Sequence, residues 1–135
     1  MTAVKVVDAS ALGALLFGEP DADLVSARLS GATLVGPTLL EYEIASICVK
    51  KTLNNAERGA VFLDALAIMG EMGIEFVAVD QFGVVPLAVQ YRLSSYDASY
   101  LWLTQHLDAE LVTLDRRLER AAEKVRQAAR KPPST

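Results

Sequence analysis

The clearest indication of the fold is a segment near the start of the chain, Val4-Lys5-Val6-Val7-Asp8-Ala9-Ser10-Ala11-Leu12 (VKVVDASAL, residues 4–12). Its mostly apolar start, residues 4–7, predicts a short buried strand that Asp8 closes. A helical pattern begins almost at once, at Ser10, and continues to Phe17. A buried strand that turns directly into a helix is typical of a parallel sheet covered by helices.

The rest of the chain repeats this alternation of strand and helix. Further strands are predicted over 33–35, 74–79 and 110–113, and helices over 21–29, 38–51, 54–72, 81–92, 96–106 and 115–129. Pro86 predicts a break in the 81–92 helix. We therefore expect one α/β domain over residues 1–129, a three-layer α/β/α sandwich with a mostly parallel sheet, and a flexible tail over residues 130–135.

Length and composition restrict the function. A chain of 135 residues with 52% hydrophobic and 22% charged residues forms one compact domain and leaves apolar surface for a partner or a second copy. The longest uncharged run, residues 29–40, is too short to cross a membrane. Lys5 and Asp8 interrupt the N-terminus where a signal peptide would be apolar. We expect a cytoplasmic protein with no membrane association.

The chain has one cysteine, Cys48, and one histidine, His106. The single cysteine excludes an intrachain disulfide and a CxxC metal site. We predict that Cys48 is a small core residue and that His106 lies on a helix surface or in the core.

The charge of the chain is uneven. The net charge is −4, but residues 116–135 hold seven of the 13 Lys/Arg residues and two of the 17 acids, which leaves the first 115 residues at −9. Two interpretations stay open: the basic C-terminal helix follows a phosphate backbone, or it is a solvated terminal helix.

Three acidic residues are predicted to meet at one edge of the sheet. Asp8 and Asp115 follow the first and last strands, and Asp97 lies in the first turn of a helix. In open parallel sheets, ligands bind beyond the carboxyl ends of the strands. A carboxylate in apolar surroundings costs roughly several kcal/mol to desolvate without a partner, so acids there need a compensating charge. Asp97 and Asp115 also have a structural alternative, because acids are favourable at helix N-termini.

Glu43 is the fourth candidate because it lies in an apolar helical stripe between Leu40 and Ile47. Glu41 has a structural explanation, since Thr38 and Glu41 match a capping box. Glu41 is therefore the fallback ligand.

Four carboxylates without histidine or cysteine favour Mg²⁺ or Mn²⁺, ions that orient phosphates and activate water for phosphodiester hydrolysis. Ser10 and Thr113 are candidates to hold the carboxylates of Asp8 and Asp115 from outside the metal's own ligand set. Equally, Ser10 caps the first helix and Thr113 fills a strand. Arg116 and Arg117 are candidates for phosphate contacts.

Four motifs resemble those of PIN-domain proteins, especially VapC-type toxins, in order and approximate separation: residues 6–12, 40–46, 96–100 and 111–115. The resemblance covers nearly the whole chain. It implies a PIN fold and a Mg²⁺- or Mn²⁺-dependent endoribonuclease with Asp8, Glu43, Asp97 and Asp115 as its metal-binding, catalytic acids. It also implies a homodimer that is inhibited by a small cognate antitoxin bound near the active site.

Two other classes of protein remain as alternatives. One is a catalytically silent module of the same fold that binds RNA or protein. The other is a phosphoacceptor receiver domain, which needs an acidic pair after the first strand and a lysine near a late strand. Here Asp8 stands alone, and no lysine occurs between Lys51 and Lys124.

Overall fold

The computed structural model describes residues 2–130 as a four-stranded sheet and seven α-helices. The strands are β1 (Val4–Val7), β2 (Thr33–Pro37), β3 (Glu75–Val77) and β4 (Glu110–Val112). The helices are α1 (Ala9–Leu16), α2 (Ala22–Leu29), α3 (Leu39–Asn54), α4 (Gly59–Glu71), α5 (Gln81–Tyr91), α6 (Ser95–Leu107) and α7 (Arg116–Arg130). The predicted flexible tail lies outside the described residues, except for Arg130, which ends α7.

The sheet is parallel throughout, with the strand order β3-β2-β1-β4. Val6 of β1 stands opposite Val35 of β2 on one side and Leu111 of β4 on the other. The predicted α/β/α sandwich is confirmed. Because all strands run in one direction, their carboxyl ends share one edge of the sheet, which we call the carboxyl edge.

The apolar character of β1 explains its central position. Val6 and Val7 have no exposed surface, as befits a strand with neighbours on both edges and helices on both faces. Leu40 and Ile44 of α3 are equally buried in the same core cluster. At roughly 1.5–3 kcal/mol for each large apolar side chain, this burial fixes β1 between its neighbours.

Helix α6 is the element that contacts most of the sheet, since it packs on β1, β2 and β4 and also against α5 and α7. Only Asp108 and Ala109 separate the end of α6 from the start of β4. The helix therefore runs antiparallel to the strands, and its first turn lies at the carboxyl edge. Gly83 of α5 permits close packing of α5 on α6, because a Cβ atom at that position would overlap the indole of Trp102.

Two local predictions are wrong. The continuous helical stretch over 54–72 is interrupted at Asn55, whose backbone is extended (φ −150°, ψ 78°), and a 3₁₀ turn over Ala56–Arg58 precedes α4. The predicted break at Pro86 does not occur, because α5 continues through it. Proline removes one helical hydrogen bond, and here it lies on the exposed face of α5, where water reaches the backbone.

The two single residues are placed as expected. Cys48 is buried in the core, and His106 is exposed on α6 with its ring stacked on Trp102 at 4.7 Å between centroids. Within residues 2–130, no helix combines the length and the apolar character that crossing a bilayer requires.

Candidate active site

Asp8 is the most deeply buried of the four candidate acids, with 5% of its surface exposed. It follows β1 and caps α1: its Oδ1 atom accepts from the Ala11 amide at 3.0 Å and from the Ser10 hydroxyl at 2.7 Å. Its Oδ2 atom accepts from the Thr113 hydroxyl at 2.5 Å. Burial is the main reason why the pKa of Asp8 is raised, and the three donors oppose that rise.

Ser10 and Thr113 both contact Asp8 and join the ends of β1 and β4. The Ser10 hydroxyl also accepts from the Leu114 amide at 3.0 Å, and the Thr113 hydroxyl accepts from the Asp115 amide at 3.0 Å. Thr113 therefore holds the carboxylate of Asp8 and the backbone, rather than the carboxylate, of Asp115. The cap of α1 is Asp8, not Ser10.

Asp115 begins α7 as an N-terminal cap. Its Oδ1 atom accepts from the amides of Arg117 at 2.9 Å and Leu118 at 3.2 Å. The structural alternative that the sequence left open is thus realised, but it occupies only one carboxylate oxygen. A cap residue at the carboxyl edge is compatible with a ligand role for the other oxygen.

Asp97 lies in the first turn of α6 but is not its cap. The cap is Ser94, whose hydroxyl accepts from the Asp97 amide at 3.0 Å. The pKa of Asp97 is raised by burial and then by the negative charge of Asp115, while the positive charge of Arg117 opposes this. Asp97, Asp115 and Arg117 therefore share one electrostatic environment.

Glu43 is half-buried in α3, and the hydroxyl of Tyr100 donates to its Oε1 atom at 2.5 Å. Burial raises the pKa of Glu43, and the charges of Asp97 and Asp8 raise it further, against the hydrogen bond from Tyr100. Tyr100 has 1% of its surface exposed, and burial raises the pKa of its hydroxyl, so it is the donor.

Tyr100 is the functional contact that the sequence analysis missed. It lies three residues after Asp97, which places both side chains on one face of α6. That spacing was visible in the sequence. What the sequence lacked was the pairing of this face with Glu43, which comes 57 residues earlier.

The predicted capping box that was assigned to Glu41 is wrong. Thr38 has a helical backbone (φ −55°, ψ −29°), and its side chain caps nothing. Its amide donates to the Val77 carbonyl at 3.0 Å, so it is not available to Glu41. Glu41 is exposed in the first turn of α3.

No cation of the described chain neutralises the acids by direct contact. The ion pairs within residues 2–130 join Lys5 and Arg28 to Glu110, and Lys51 to Glu19. Arg117 is close enough to influence Asp97, but its guanidinium donates to the Arg92 carbonyl. Arg116 is exposed. The acids are thus supplied with hydrogen bonds, and Arg117 compensates their charge only in part and without direct contact.

The carboxylate oxygens of the four acids suit a hard divalent cation, but their spacing limits how many of them can contact the same ion. Over residues 2–130, no three His, Cys, Asp or Glu side chains are grouped closely enough to hold one ion together. Mg²⁺ is commonly bound through one or two carboxylates and keeps several waters. The acids as placed therefore suit a water-rich site rather than a cage made of protein ligands alone.

Comparison with known proteins agrees with the fold and the ordered motifs. The sequence model of the PIN domain matches residues 5–124. The crystal structure of PAE2754 from Pyrobaculum aerophilum superposes with a TM-score of 0.73 at 27% sequence identity, covering 96% of this chain and 98% of that one. No curated protein matched in sequence. PIN domains are commonly nucleases, and the fold of this chain is therefore one that nucleases use. On this match and this fold, the chain belongs to the PIN-domain family.

Proposed function

We propose that this protein is a Mg²⁺- or Mn²⁺-dependent endoribonuclease that hydrolyses RNA phosphodiester bonds. The observation that carries the proposal is the set of four acids at the carboxyl edge, of which Asp8, Glu43 and Asp97 have raised pKa values through burial and mutual repulsion. Together with Asp115 they form a site with an excess of negative charge, part of which a bound divalent cation would offset.

Asp8, Glu43, Asp97 and Asp115 are the residues that would hold one or two ions, in part through bound water, because no three acids of residues 2–130 are grouped closely enough to hold one ion together. When bound, a divalent cation supplies Lewis-acid stabilisation of phosphoryl charge and makes water a better nucleophile. Ser10 and Thr113 hold Asp8, and Tyr100 holds Glu43, so that these carboxylates are oriented before the ion arrives. We propose that Arg116 and Arg117, at the start of α7, contact substrate phosphates.

Hydrolysis by water predicts the chemistry of the products. Attack of water on phosphorus with the 3′ oxygen as leaving group gives a 5′-phosphate and a 3′-hydroxyl. Attack by the RNA's own 2′-hydroxyl needs an acid and a base, and the one histidine, His106, is stacked on Trp102 of α6 instead. The choice of RNA over DNA rests on the resemblance to VapC-type toxins. An RNA target inside the cell leads us to infer a cytoplasmic location.

The central test is cleavage of a mixed, structured RNA by purified, partner-free protein in Mg²⁺, in Mn²⁺ and in excess EDTA. We expect cleavage in both metals, none in EDTA, and a loss of roughly 100-fold or more in Asp97→Asn, the scale on which one preorganised electrostatic group acts. Asp64→Asn, which changes an exposed acid of α4, is the matched control and should retain activity.

Cleavage that survives EDTA, or that is equal in Asp97→Asn and the wild type, would contradict the proposal. RNA binding without cleavage in any metal would favour the alternative, a catalytically silent PIN module, for which the absence of a tight three-acid group within residues 2–130 is the supporting observation. Membership of the PIN family removes the receiver-domain alternative.

We also propose that the protein forms a homodimer through α5. Phe82, Val85 and Val89 lie on one face of this helix with 92%, 54% and 74% of their surfaces exposed. Three large apolar side chains at helical spacing form a surface that a second copy would cover.

Phe82→Glu should convert a dimer into a monomer, since it replaces the most exposed apolar side chain of this face with a charge. Light scattering after size-exclusion chromatography measures the mass directly. Leu53→Glu, an equally drastic change on α3, should leave the dimer intact. A monomeric wild-type protein, or a dimer that Phe82→Glu leaves unchanged, would refute the assignment.

The second apolar surface is a groove between α3 and α4, which we propose receives the cognate antitoxin. It has a volume of about 270 Å³ and is lined by Cys48, Val49, Thr52, Leu53, Gly59 and Leu63. An amphipathic helix suits such a groove. The residues of α3 that line the groove come after Glu43 in the chain. A segment of the antitoxin that continues from the groove toward Glu43 would therefore reach the acids. There, an arginine of the antitoxin would bind a carboxylate in a bidentate manner.

Leu53→Glu should weaken the complex with the product of the neighbouring reading frame at least about tenfold, whereas Phe82→Glu should not. Co-expression and calorimetric titration provide the measurement. If the neighbouring frame yields no complex, or if both variants bind equally well, the toxin–antitoxin assignment loses its support.

A further inference from the structure

A polar cavity lies at the carboxyl edge, next to the acids but outside their set. It has a volume of about 200 Å³ and lies beyond the ends of β2 and β3, with Pro37 and Val79 among its lining residues. Its other wall is formed by the first two turns of α6, with Ser95, Tyr96 and Ser99. We call it the Tyr96 cavity. Because Asp97 directly follows Tyr96, the cavity and the acid site share the first turn of the helix.

The lining of the Tyr96 cavity carries no charged side chain. Tyr96 has 61% of its surface exposed and presents an aromatic ring there. Gln81 brings an amide that both donates and accepts, and Thr38 brings a hydroxyl that caps no helix. Ser99 is occupied, because its hydroxyl donates to the Ser95 carbonyl at 2.8 Å. An exposed ring beside an amide is what a planar, polar-edged ligand needs.

We propose that the Tyr96 cavity binds one unpaired nucleobase of the RNA, next to the phosphate that is cut. The base stacks on Tyr96, and the amide of Gln81 hydrogen-bonds its edge. Single-stranded RNA is recognised through such stacking and base-edge contacts, which a base within a duplex does not offer. This inference rests on the proposed nuclease function and adds a source of substrate preference that the acids lack.

The other cavity at this edge is less suitable for the same ligand. It has a volume of about 360 Å³ and is lined by Ser10 and by the carboxylates of Glu19 and Asp21. Glu19 is paired with Lys51 at 3.0 Å, which leaves Asp21 to repel a nearby phosphate. The uncharged Tyr96 cavity carries no such repulsion. Arg117, whose charge acts on Asp97, is close enough to the acid site to attract the phosphate next to the bound base.

Three variants distinguish a loss of stacking on Tyr96 from a general effect of replacing an exposed tyrosine. Tyr96→Ala removes the ring, Tyr96→Phe keeps it, and Tyr42→Ala removes an exposed tyrosine of α3 that does not line the cavity. On short single-stranded RNA, we expect Tyr96→Ala to raise KM about 5- to 100-fold, with kcat and the Mg²⁺ requirement little changed. Tyr96→Phe and Tyr42→Ala should stay close to the wild type.

A binding cycle supplies a readout that does not depend on catalysis. RNA affinity is measured in the Asp97→Asn background with Mg²⁺, using RNAs that carry one abasic nucleotide at successive positions. At one position, the abasic RNA should lose as much affinity as Tyr96→Ala does, and combining the two should cost nothing more. Gln81→Ala should reduce the preference among bases at that same position. Because Gln81 adjoins the exposed face of α5, each variant is also checked for an unchanged oligomeric state.

Each outcome decides the proposal. Matching, non-additive losses at one position support it. Cleavage by the wild type with an unchanged KM in Tyr96→Ala overturns the cavity assignment but leaves the nuclease intact. A Tyr96→Ala variant that loses antitoxin affinity instead of RNA affinity shows that the cavity receives protein, which also overturns it. A wild-type protein that neither binds nor cuts RNA overturns the nuclease and the cavity together.

Discussion

The concentration of like charges at the carboxyl edge of the sheet, where Asp8 is buried and Glu43, Asp97 and Asp115 are partly buried, is the constraint on which the rest of this structure depends. Hydrogen bonds stabilise two of these carboxylates. Asp8 accepts hydrogen bonds from the hydroxyls of Ser10 and Thr113 and from the Ala11 amide. Glu43 accepts one from the hydroxyl of Tyr100. Among the described residues, no buried side-chain nitrogen or oxygen lacks a partner. Hydrogen bonds satisfy lone pairs but leave the charge in place, so the repulsion among the acids persists. A cation bound at such a site would stabilise the folded protein.

The topology makes this concentration of charge unavoidable. Strand β1 is paired with β4, so Asp8 and Asp115 follow adjacent parallel strands. Helix α6 returns antiparallel to β4 and brings Asp97 to the same edge, and its next turn carries Tyr100 to Glu43 on α3. The four acids are far apart in sequence, but the shortest connections of a parallel α/β fold bring them together. The same geometry places the Tyr96 cavity beside them, so the proposed base preference would depend on the helix that carries Asp97.

Periodicity was enough to predict the parallel sheet and the positions of the acids, because both depend on short apolar runs and on the residues that end them. The errors lie where a tertiary contact replaced a local one. The Thr38 amide bonds to Val77 rather than to Glu41, so a valid capping pattern was not used. Asn55 breaks a helical pattern that composition alone would continue. Tyr100 and the Tyr96 cavity depend on pairings between distant elements, which the order of residues does not reveal. The boundaries of the domain and the ligand roles of the acids stay predictions.

The most direct measurement is the thermal unfolding of Glu43→Gln against the wild type, in EDTA and in Mg²⁺, over a range of pH. Glutamine keeps the acceptor for Tyr100 and removes one charge. The pKa of Glu43 in the folded protein is raised above its ordinary value of 4.5, so its ionisation destabilises the fold as pH rises beyond that value and has no effect below it. At pH 7 in EDTA we expect Glu43→Gln to unfold roughly 2–5 °C higher, a modest gain because water screens a half-exposed group. That gain should vanish below pH 4.5, and Mg²⁺ should stabilise the wild type more than the variant. A less stable variant at pH 7 in EDTA, or equal stabilisation of both proteins by Mg²⁺, would contradict the account.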